Sequence, residues 1–515
     1  MNNIASKQFF LSISMLVAAI MLLGTAWIGD DAFITLRVID NFVNGFGLRY
    51  NVIERVQVFT HPLWLFLLTP FYALTREAMV TTMLVSIILS LSALWLLATR
   101  ISRNIEYGCL LVLAALASRA ICQYSTSGLE NPLTFLLLAL FVWQFDRGVR
   151  SWIPAGIAGL LLLNRLDLVV LAGPIMAYML FRADGRERAK VAMAMVFPAL
   201  AWMIFSIIYY GAPFPNTAYA KLGTGYGIES LILQGFVYTK DFVLTDPLLA
   251  LIISMAVYAA ARSRNWPTIL QGAGIILYVA YIIIIGGDFM SGRFFAPPGF
   301  LALCLLAKMP APRWLMKREK VAFLLSVGVL GALLATRVME KQILNVPGSG
   351  ISDERDFYYS FNGLLPVLKG WVATGNEPVH PWGQIGIERK HLAQSLGMPF
   401  VEYATVEDGM PTFYAGSSID NVDPMALTDA FLARLPAIPG GRVGHYRRFM
   451  PPGYAETVLN PVPTTDVKIL RPLLNDVTLA TRAPLFADGR WGAIWRLLSG
   501  RYHWVYEYDF YGLNK

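Results

Sequence analysis

The chain has little charge and little cysteine. Asp, Glu, Lys and Arg make up only 15% of its 515 residues, against about 25% in soluble globular domains. The three cysteines, Cys109, Cys122 and Cys304, lie in or near apolar segments without the spacing of metal ligands, so we expect buried thiols rather than a zinc site or a disulfide framework. A Walker motif, a dinucleotide-binding glycine signature and a nucleophile elbow are also missing from the sequence. These common enzyme motifs therefore give no lead to the function.

Apolar residues dominate the composition instead. They form 56% of the chain, and the mean hydropathy is +0.53, so the repeated apolar runs predict a polytopic membrane protein. The first run, residues 9–28, is long and lacks a small-residue cleavage site before the acids that follow it, which indicates a retained signal anchor. The net charge is +8, but the basic residues cluster at membrane borders. Membrane topology explains them better than nucleic-acid binding does.

Three basic loops set the predicted orientation. Residues 182–190, 261–265 and 308–320 concentrate Lys and Arg, and such loops face the cytoplasm. If the N-terminus is cytoplasmic, about eleven spans place residues 341–515 outside the cytoplasm. This placement agrees with the orientation of the three basic loops. The predicted spans are 9–28, 79–99, 107–122, 132–145, 152–164, 167–181, 190–210, 246–261, 267–286, 294–307 and 321–338.

One apolar segment is too short to count as a span. Residues 62–74 would rise only about 20 Å as a helix, against a hydrocarbon core of about 30 Å, so we expect a re-entrant or interfacial segment there.

Two domains follow from these spans. Residues 1–340 form the predicted transmembrane domain, with a first outer loop at 30–61. Residues 341–515 have many Pro, Gly and Asp and no apolar run long enough to cross, so we expect a soluble α/β extracytoplasmic domain with its own core. His380 beside Trp382, and His445 beside two arginines, suit carbohydrate binding, although packed aromatic residues of an ordinary domain explain them equally well.

Four polar patches share the predicted outer face. They are the first loop, residues 125–131, a long loop at 211–246, and residues 286–293, while Arg165 lies near the same face. Ionisable groups at a membrane boundary are costly and seldom accidental. Their convergence on one surface weakens a transporter, whose charges would line a path near the midplane.

Chemistry at an outer face lacks cytoplasmic ATP and nucleotide sugars, so a lipid phosphate is the expected carrier of the group transferred. Such a reaction needs a general base for an acceptor hydroxyl and cations for the departing phosphate. Asp30 and Asp31 are the candidate bases. The candidate phosphate ligands are Arg37, Arg165 and Arg293, because guanidinium groups match phosphate geometry.

Structural explanations compete with each of these roles. The acidic pair is also typical of a solvated helix end, and Arg37 is also typical of a long side chain that extends to the membrane–water interface. Structural ion pairs are the alternative for Arg165 with Asp167 and for Asp288 with Arg293. For single residues, Glu130 suits a charge at a helix N-terminus, and His61 an ordinary interfacial histidine.

The strings DDAFITLRVIDNFVNGFGLRYN and ERVQVFTHPLW resemble the first outer loop of the terminal β-arabinofuranosyltransferase family, a group of polytopic GT-C glycosyltransferases whose annotations overlap with a flagellar-motor-control label. The matched positions there are Asp30, Asp31, Arg37, Asn41, Gly45, Gly47, Leu48, Asn51, Glu54, Arg55, Val56, Thr60 and Trp64. Further matches follow in the same order: TSGLEN with Glu130, GGDFMSGRFFAP with Asp288 and Arg293, and RVGHYRRFMPPGY with His445. NRLD departs from the family pattern, because Leu166 replaces the usual proline.

The resemblance implies a GT-C fold in the bacterial inner (plasma) membrane, with a periplasmic C-terminal domain. It also implies that a sugar is transferred from a polyprenyl-phosphate donor to a cell-envelope glycan or a surface-protein acceptor, with inversion at the anomeric carbon. The type donor of the family is decaprenylphosphoryl arabinofuranose. Glu130, Asp288, His61 and His445 would position the substrates. A divalent cation, Mg or Mn, at Asp30 and Asp31 is compatible with the fold but not required by it.

Two other functions stay open on the sequence. A non-catalytic glycan-binding or flagellar or envelope assembly factor would keep the fold and tolerate loss of the acidic pair. A transporter ranks third, because no internal repeat is evident in the chain.

Overall fold

A computed structural model describes residues 2–148, 150–222, 227–313, 317–339, 348–374, 379–397, 399–403, 408–438 and 444–508. These residues are mostly helical, and they fall into two compact units. Unit 1 comprises Met1–Gly29, Glu77–Ala199 and Ile228–Pro378, and unit 2 comprises Asp30–Arg76, Leu200–Gly227 and Val379–Lys515. The domain boundary that the sequence predicts at residue 340 lies outside the described residues.

Unit 1 is built from apolar helices. The helices that lie wholly within it are α1 (Asn2–Thr25), α4 (Met79–Leu96, extended by a π-helical turn at Leu97–Ile101), α5 (Ile105–Ala117), α6 (Arg119–Tyr124), α7 (Asn131–Asp146), α8 (Trp152–Asn164), α9 (Leu168–Arg182), α12 (Ile228–Thr245), α13 (Pro247–Ala261), α14 (Trp266–Ile284), α15 (Ala296–Ala307), α16 (Glu319–Met339), α17 (Glu354–Asn362) and α18 (Leu364–Thr374). Helix α7 packs on α4 and α8, α9 packs on α14, and α13 packs on α15. Helix α10 (Gly185–Tyr210) begins in unit 1 and ends in unit 2.

Unit 2 contains shorter elements. They are α2 (Asp30–Val43), α3 (Pro62–Thr75), α11 (Asn216–Leu222), α19 (Pro381–Leu396), α20 (Met410–Ala415), α21 (Tyr454–Thr457), α22 (Arg471–Arg482), α23 (Arg490–Leu498), β1 (Phe400–Tyr403) and β2 (Ile419–Val422). The two strands pair in parallel, with Phe400 opposite Ile419. Helix α20 packs on α19 and on α2. Since one pair of four-residue strands is all the sheet that the described residues contain, the predicted α/β character of the C-terminal region is not confirmed.

The predicted spans overlap helices throughout the described residues, but their number is not confirmed. Four helices are long and apolar enough to cross a membrane, and a bent pair, Ile228–Thr245 with Pro247–Ala261, would make a fifth. Several others, such as Trp152–Asn164, have only 10–17 residues. The segment expected to be too short for a span is indeed a short helix, α3, of 14 residues.

The loop predicted at 211–246 is wrong in its second half, where α12 forms. Helix α12 stops at Thr245 because Asp246 precedes Pro247, and a residue before proline disfavours the helical conformation. The Asp246 side chain then accepts the backbone N–H of Leu249 and so caps α13. The chain bends by 106° at this break.

The first outer loop is likewise helical at its start. Helix α2 begins at the aspartate pair, where carboxylates favour a helix N-terminus. Beyond its end, Gly45 and Gly47 adopt φ angles of 86° and 88°, which glycine reaches without steric cost. The remainder, up to His61, has no regular structure.

Candidate active site

Asp30 is held at the start of α2 by the backbone of a distant segment of unit 2. Its Oδ2 accepts the N–H of Gly409 at 3.0 Å, and its Oδ1 accepts the N–H of Met410 at 2.7 Å. The side chain is buried, at 4% exposure. Burial and the charge of Asp31 together raise the pKa of this carboxyl to about 7, against the lowering effect of the two N–H donors. Asp30 is therefore fixed in place, with both oxygens occupied.

Asp31 is half-buried, in contrast to its neighbour. Thr35 lies four residues further along α2, so both side chains share one face of the helix. The Thr35 hydroxyl is 2.8 Å from Nε2 of His61, and the His61 ring is itself buried. The structure thus brings His61 to the face of α2 that carries Asp31.

Arg37, a predicted phosphate ligand, lies buried among backbone carbonyls. Its Nε donates to the carbonyl of Tyr50 at 2.8 Å, and the guanidinium stacks on the Tyr50 ring. Its Nη1 donates to the carbonyls of Thr412 and Gly416, and its Nη2 to that of Ile419. Every guanidinium nitrogen of Arg37 is thus engaged by the protein, which is the pattern of a structural clamp.

His445, predicted to position substrate, is half-buried in unit 2. Its role stays a prediction.

A second polar cluster lies in unit 1, and it brings together four residues that the sequence singled out. The Glu130 carboxylate lies 3.3 Å from Nη1 of Arg165 and 3.4 Å from Nη2 of Arg293. Nη1 of Arg293 lies 3.5 Å from Asp288. Glu130 is only 1% exposed, and the side chain of Arg293 is 12% exposed. Glu130 directly precedes α7, at the helix N-terminus, but its carboxylate makes no side-chain capping bond and pairs with the two guanidinium groups.

Helix ends and glycines position this cluster. Arg165 follows α8 in an extended conformation, and Arg293 starts a short 3-10 turn after Gly292, whose φ is 72°. Gly287 also has a φ of 72°, and a Cβ there would lie 2.4 Å from the Tyr238 ring. The GGDFMSGR loop therefore needs glycine both for its backbone conformation and for its close approach to α12.

Two residues that the sequence reasoning missed support the cluster. Tyr278, on α14, donates its hydroxyl hydrogen to Asp167 at 2.6 Å, and Asp167 binds Arg165 through both carboxylate oxygens. The Phe294 ring lies 5.1 Å from the Arg165 guanidinium and 5.9 Å from that of Arg293. Tyr278 sits in an apolar helix without any motif, so no sequence signal marked it.

The start of α7 and the loop before it contain buried polar atoms that make no hydrogen bond within the described part of the chain. The Ser127 hydroxyl and both polar atoms of the Asn131 side chain are buried, yet none makes a hydrogen bond to any described residue. Such groups are costly unless they are satisfied. They flank Glu130 in the sequence and give this region unused hydrogen-bonding capacity.

The metal role predicted for the aspartate pair needs ligands beyond the two carboxylates. Among the described residues, no three His, Cys, Asp or Glu side chains are arranged to hold a metal ion. The Asp30 oxygens, moreover, accept backbone N–H groups that a cation would repel. The predicted divalent cation at Asp30 and Asp31 stays a prediction.

Comparison with solved structures identifies the fold. The chain matches ArnT from Cupriavidus metallidurans in the apo state with a TM-score of 0.52 at 15% identity, covering 82% of this chain and 86% of that one. It matches the archaeal oligosaccharyltransferase AglB from Archaeoglobus fulgidus with a TM-score of 0.51 at 12% identity, covering 82% of this chain and 65% of that one. The fold is therefore of the GT-C type, and the chain is a multi-pass membrane protein.

Sequence comparison narrows the relationship. The chain is 27% identical to the terminal β-(1→2)-arabinofuranosyltransferase of Mycobacterium tuberculosis over 82% of its length and 81% of that protein. It is 25% identical to the enzyme of the same name from Corynebacterium glutamicum, over 81% of its length and 72% of that protein. No family model matches the sequence. The resemblance to terminal arabinofuranosyltransferases expected from the motifs is confirmed.

Proposed function

We propose that the chain is a membrane glycosyltransferase that moves a sugar, with arabinofuranose favoured, from a polyprenyl-phosphate donor to a cell-envelope acceptor. The names of its two sequence relatives and its GT-C fold support this function. The observation that carries the proposal is the state of the acidic pair that opens α2. One carboxylate is locked by backbone donors, and the other is half-buried on a face that also carries a histidine contact.

Asp31 is the general base in this proposal. Both Asp30 oxygens already accept N–H groups, which leaves that residue to hold the start of α2 and to bring a second negative charge beside Asp31. Asp31 takes the proton of the acceptor hydroxyl as the hydroxyl oxygen bonds to the anomeric carbon. His61 orients this face of α2 through Thr35.

Arg165 and Arg293 balance the leaving group. The bond from the anomeric carbon to the phosphate oxygen breaks, and the polyprenyl phosphate departs with the electron pair. Arg293 is the primary phosphate ligand, because its contacts to Glu130 and Asp288 are 3.4 and 3.5 Å and exchange more readily than the 2.6 Å bond of Arg165 to Asp167. Arg37 is left out of this role, because its donors bind backbone carbonyls.

Glu130 and Asp288 set the positions of the two guanidinium groups, and the Ser127 and Asn131 side chains are assigned to hydroxyls of the donor sugar. Displacement without a covalent enzyme intermediate gives inversion at the anomeric carbon. His445 is assigned to the acceptor. In this proposal the protein lies in the inner membrane with its N-terminus in the cytoplasm. Residues 341–515 lie in the periplasm and bind glycan.

Donor identity provides the test. The purified chain in nanodiscs is incubated with a panel of polyprenyl-phosphate sugars and an arabinan acceptor, and the transferred residue is identified by mass spectrometry and linkage analysis. We expect transfer from decaprenylphosphoryl arabinofuranose, and none by a protein carrying both Asp30→Asn and Asp31→Asn. Binding of the acceptor without transfer from any donor would favour the non-catalytic assembly factor.

A further inference from the structure

A small cavity lies within unit 2, apart from the aspartate pair and its hydrogen-bond partners. Its polar walls come from Arg55, Gln57, Asn216 and Arg434, and Tyr219 adds an aromatic wall. The cavity measures about 20 Å³, the room of one or two water molecules. It therefore suits a small charged group carried on a larger molecule, and it is too small for a whole sugar ring.

The cavity walls are rigid. The Asn216 amide donates to the carbonyls of Ala426, Leu427 and Asp429. Gln57 accepts the Ser206 hydroxyl hydrogen through its Oε1. Polar groups held in this way keep their positions whether or not a ligand is bound, which lowers the cost of binding.

Positive charge around Arg55 lacks a carboxylate partner. Nε of Arg55 donates to the carbonyl of Tyr209 at 2.9 Å, and Nη2 of Arg490 donates to the same oxygen at 3.3 Å. Among the described residues, neither guanidinium lies within 4.0 Å of an Asp or Glu oxygen. Burial, with the charges of Arg490 and Arg49, lowers the pKa of Arg55 to about 10.

Arg434 supplies the second cationic wall. Its Nη1 donates to the carbonyl of Ala430 at 2.6 Å, and its guanidinium stacks on the Tyr219 ring. The nearest acid to act on it is Asp429, whose oxygens already accept the N–H groups of Phe431 and Leu432 and the Tyr454 hydroxyl. Nη1 of Arg55, and Nε and Nη2 of Arg434, make no hydrogen bond within the described part of the chain.

We propose that this cavity binds an oxyanion group, a phosphate or a carboxylate, carried by an envelope glycan or by a lipid headgroup. Two guanidinium groups that line one small rigid cavity match the several oxygens of such a group. The proposal concerns binding alone and stands independently of the transfer reaction.

Phosphate-dependent stability tests the proposal with the full-length protein in detergent. Inorganic phosphate, titrated against chloride at constant ionic strength, should raise the unfolding temperature of the wild-type protein by a few degrees and to saturation. Arg434→Gln should abolish this shift, and Arg434→Lys should keep part of it. Arg501→Gln, at an exposed arginine, is the matched control and should respond as wild type.

Arg434→Gln is preferred over Arg55→Gln, because Arg55 also binds the backbone at Tyr209 and Ala483.

Repeating the phosphate titration in nanodiscs distinguishes a lipid headgroup from a glycan as the source of the oxyanion. If a lipid headgroup is the ligand, phosphatidylglycerol nanodiscs should remove the phosphate response that phosphatidylcholine nanodiscs keep, whereas a glycan site should respond in both. Equal phosphate shifts in wild type and Arg434→Gln, or no saturable shift in wild type, would overturn the proposal.

Discussion

Tyr278 donates its hydroxyl hydrogen to the same Asp167 oxygen that accepts Nη2 of Arg165, each at 2.6 Å. This arrangement ties an apolar helix, α14, to a guanidinium assigned to the donor phosphate. Arg165 is thereby held on one side by Asp167 and on the other by Glu130. The position of Arg165 thus depends on a tyrosine that has no charge of its own.

Removing that hydroxyl should impair donor use without unfolding the protein. Tyr278→Phe loses the short hydrogen bond to the charged Asp167, worth about 1.5–3 kcal/mol, together with the longer one that the hydroxyl accepts from Nη2 of Arg165 at 3.3 Å, and leaves both charged side chains less constrained. We expect kcat/KM for the polyprenyl-phosphate sugar to fall roughly tenfold, while the rate's dependence on acceptor concentration is unchanged. Steady-state kinetics of Tyr278→Phe check this expectation. The control is Tyr281→Phe, one turn further along α14. Identical donor kinetics in Tyr278→Phe and wild type would rule out the positioning role.

Arg37 and Arg293 should respond differently to the same change. Arg37→Lys loses a planar group whose three nitrogens bind carbonyls, so it should destabilise the protein by about 3 kcal/mol or more. Arg293→Lys should retain stability and lose most of the transfer rate. Thermal unfolding and initial rates distinguish the two, with exposed Arg76→Lys as the control. A normally stable Arg37→Lys protein with impaired donor binding would restore Arg37 to the phosphate site.

Gly287 should tolerate no side chain. Alanine there would meet both an unfavourable φ of 72° and the Tyr238 ring at 2.4 Å. Gly45→Ala is the matched control, since its φ is 86° and nothing lies within 4 Å, so it pays only about 1 kcal/mol of backbone strain. We expect Gly287→Ala to lower the unfolding temperature clearly more than Gly45→Ala does. Comparable unfolding temperatures would mean that the GGDFMSGR loop does not pack as described.

The raised pKa of Asp30 predicts a pH dependence of stability. Folding moves this carboxyl from about 3.8 to about 7, so the folded state binds more protons than the unfolded state between these values. The contribution of Asp30 to the free energy of unfolding therefore falls as pH rises from about 4 to 7 and is constant above. Asp30→Asn removes this contribution, so wild type should lose more stability than the variant between pH 5 and pH 7.5. Parallel losses would contradict the burial described for Asp30.

Local sequence patterns predicted most of the long apolar helices of unit 1 and much of its polar cluster. Hydropathy is a local property, so the predicted spans overlap helices. Glu130, Asp288 and Arg293 were singled out because each is a charge at a span boundary within a family motif. Helix α12 was missed because Glu229, Lys240 and Asp241 interrupt its apolar run and because the chain bends by 106° before α13.

Long-range contacts lay beyond the sequence. Three of the four carbonyls that bind Arg37 come from residues 375–382 positions away, and the bond from Tyr278 to Asp167 joins residues 111 positions apart. Neither contact leaves a periodic or compositional trace in the sequence. The same limit left the roles of the two aspartates open in the sequence, because the backbone donors of Gly409 and Met410 that bind Asp30 lie about 380 positions away.

The central claim is that Asp31, rather than Asp30, is the general base. Single-turnover transfer from decaprenylphosphoryl arabinofuranose, measured across pH for Asp31→Asn, Asp30→Asn and the control Asp40→Asn, tests it most directly. We predict that Asp31→Asn lowers the rate by about 10²–10⁴-fold and abolishes its acidic limb, that Asp30→Asn lowers the rate less and keeps that limb, and that Asp40→Asn matches wild type. Full transfer by Asp31→Asn, with the acidic limb intact, would contradict the account.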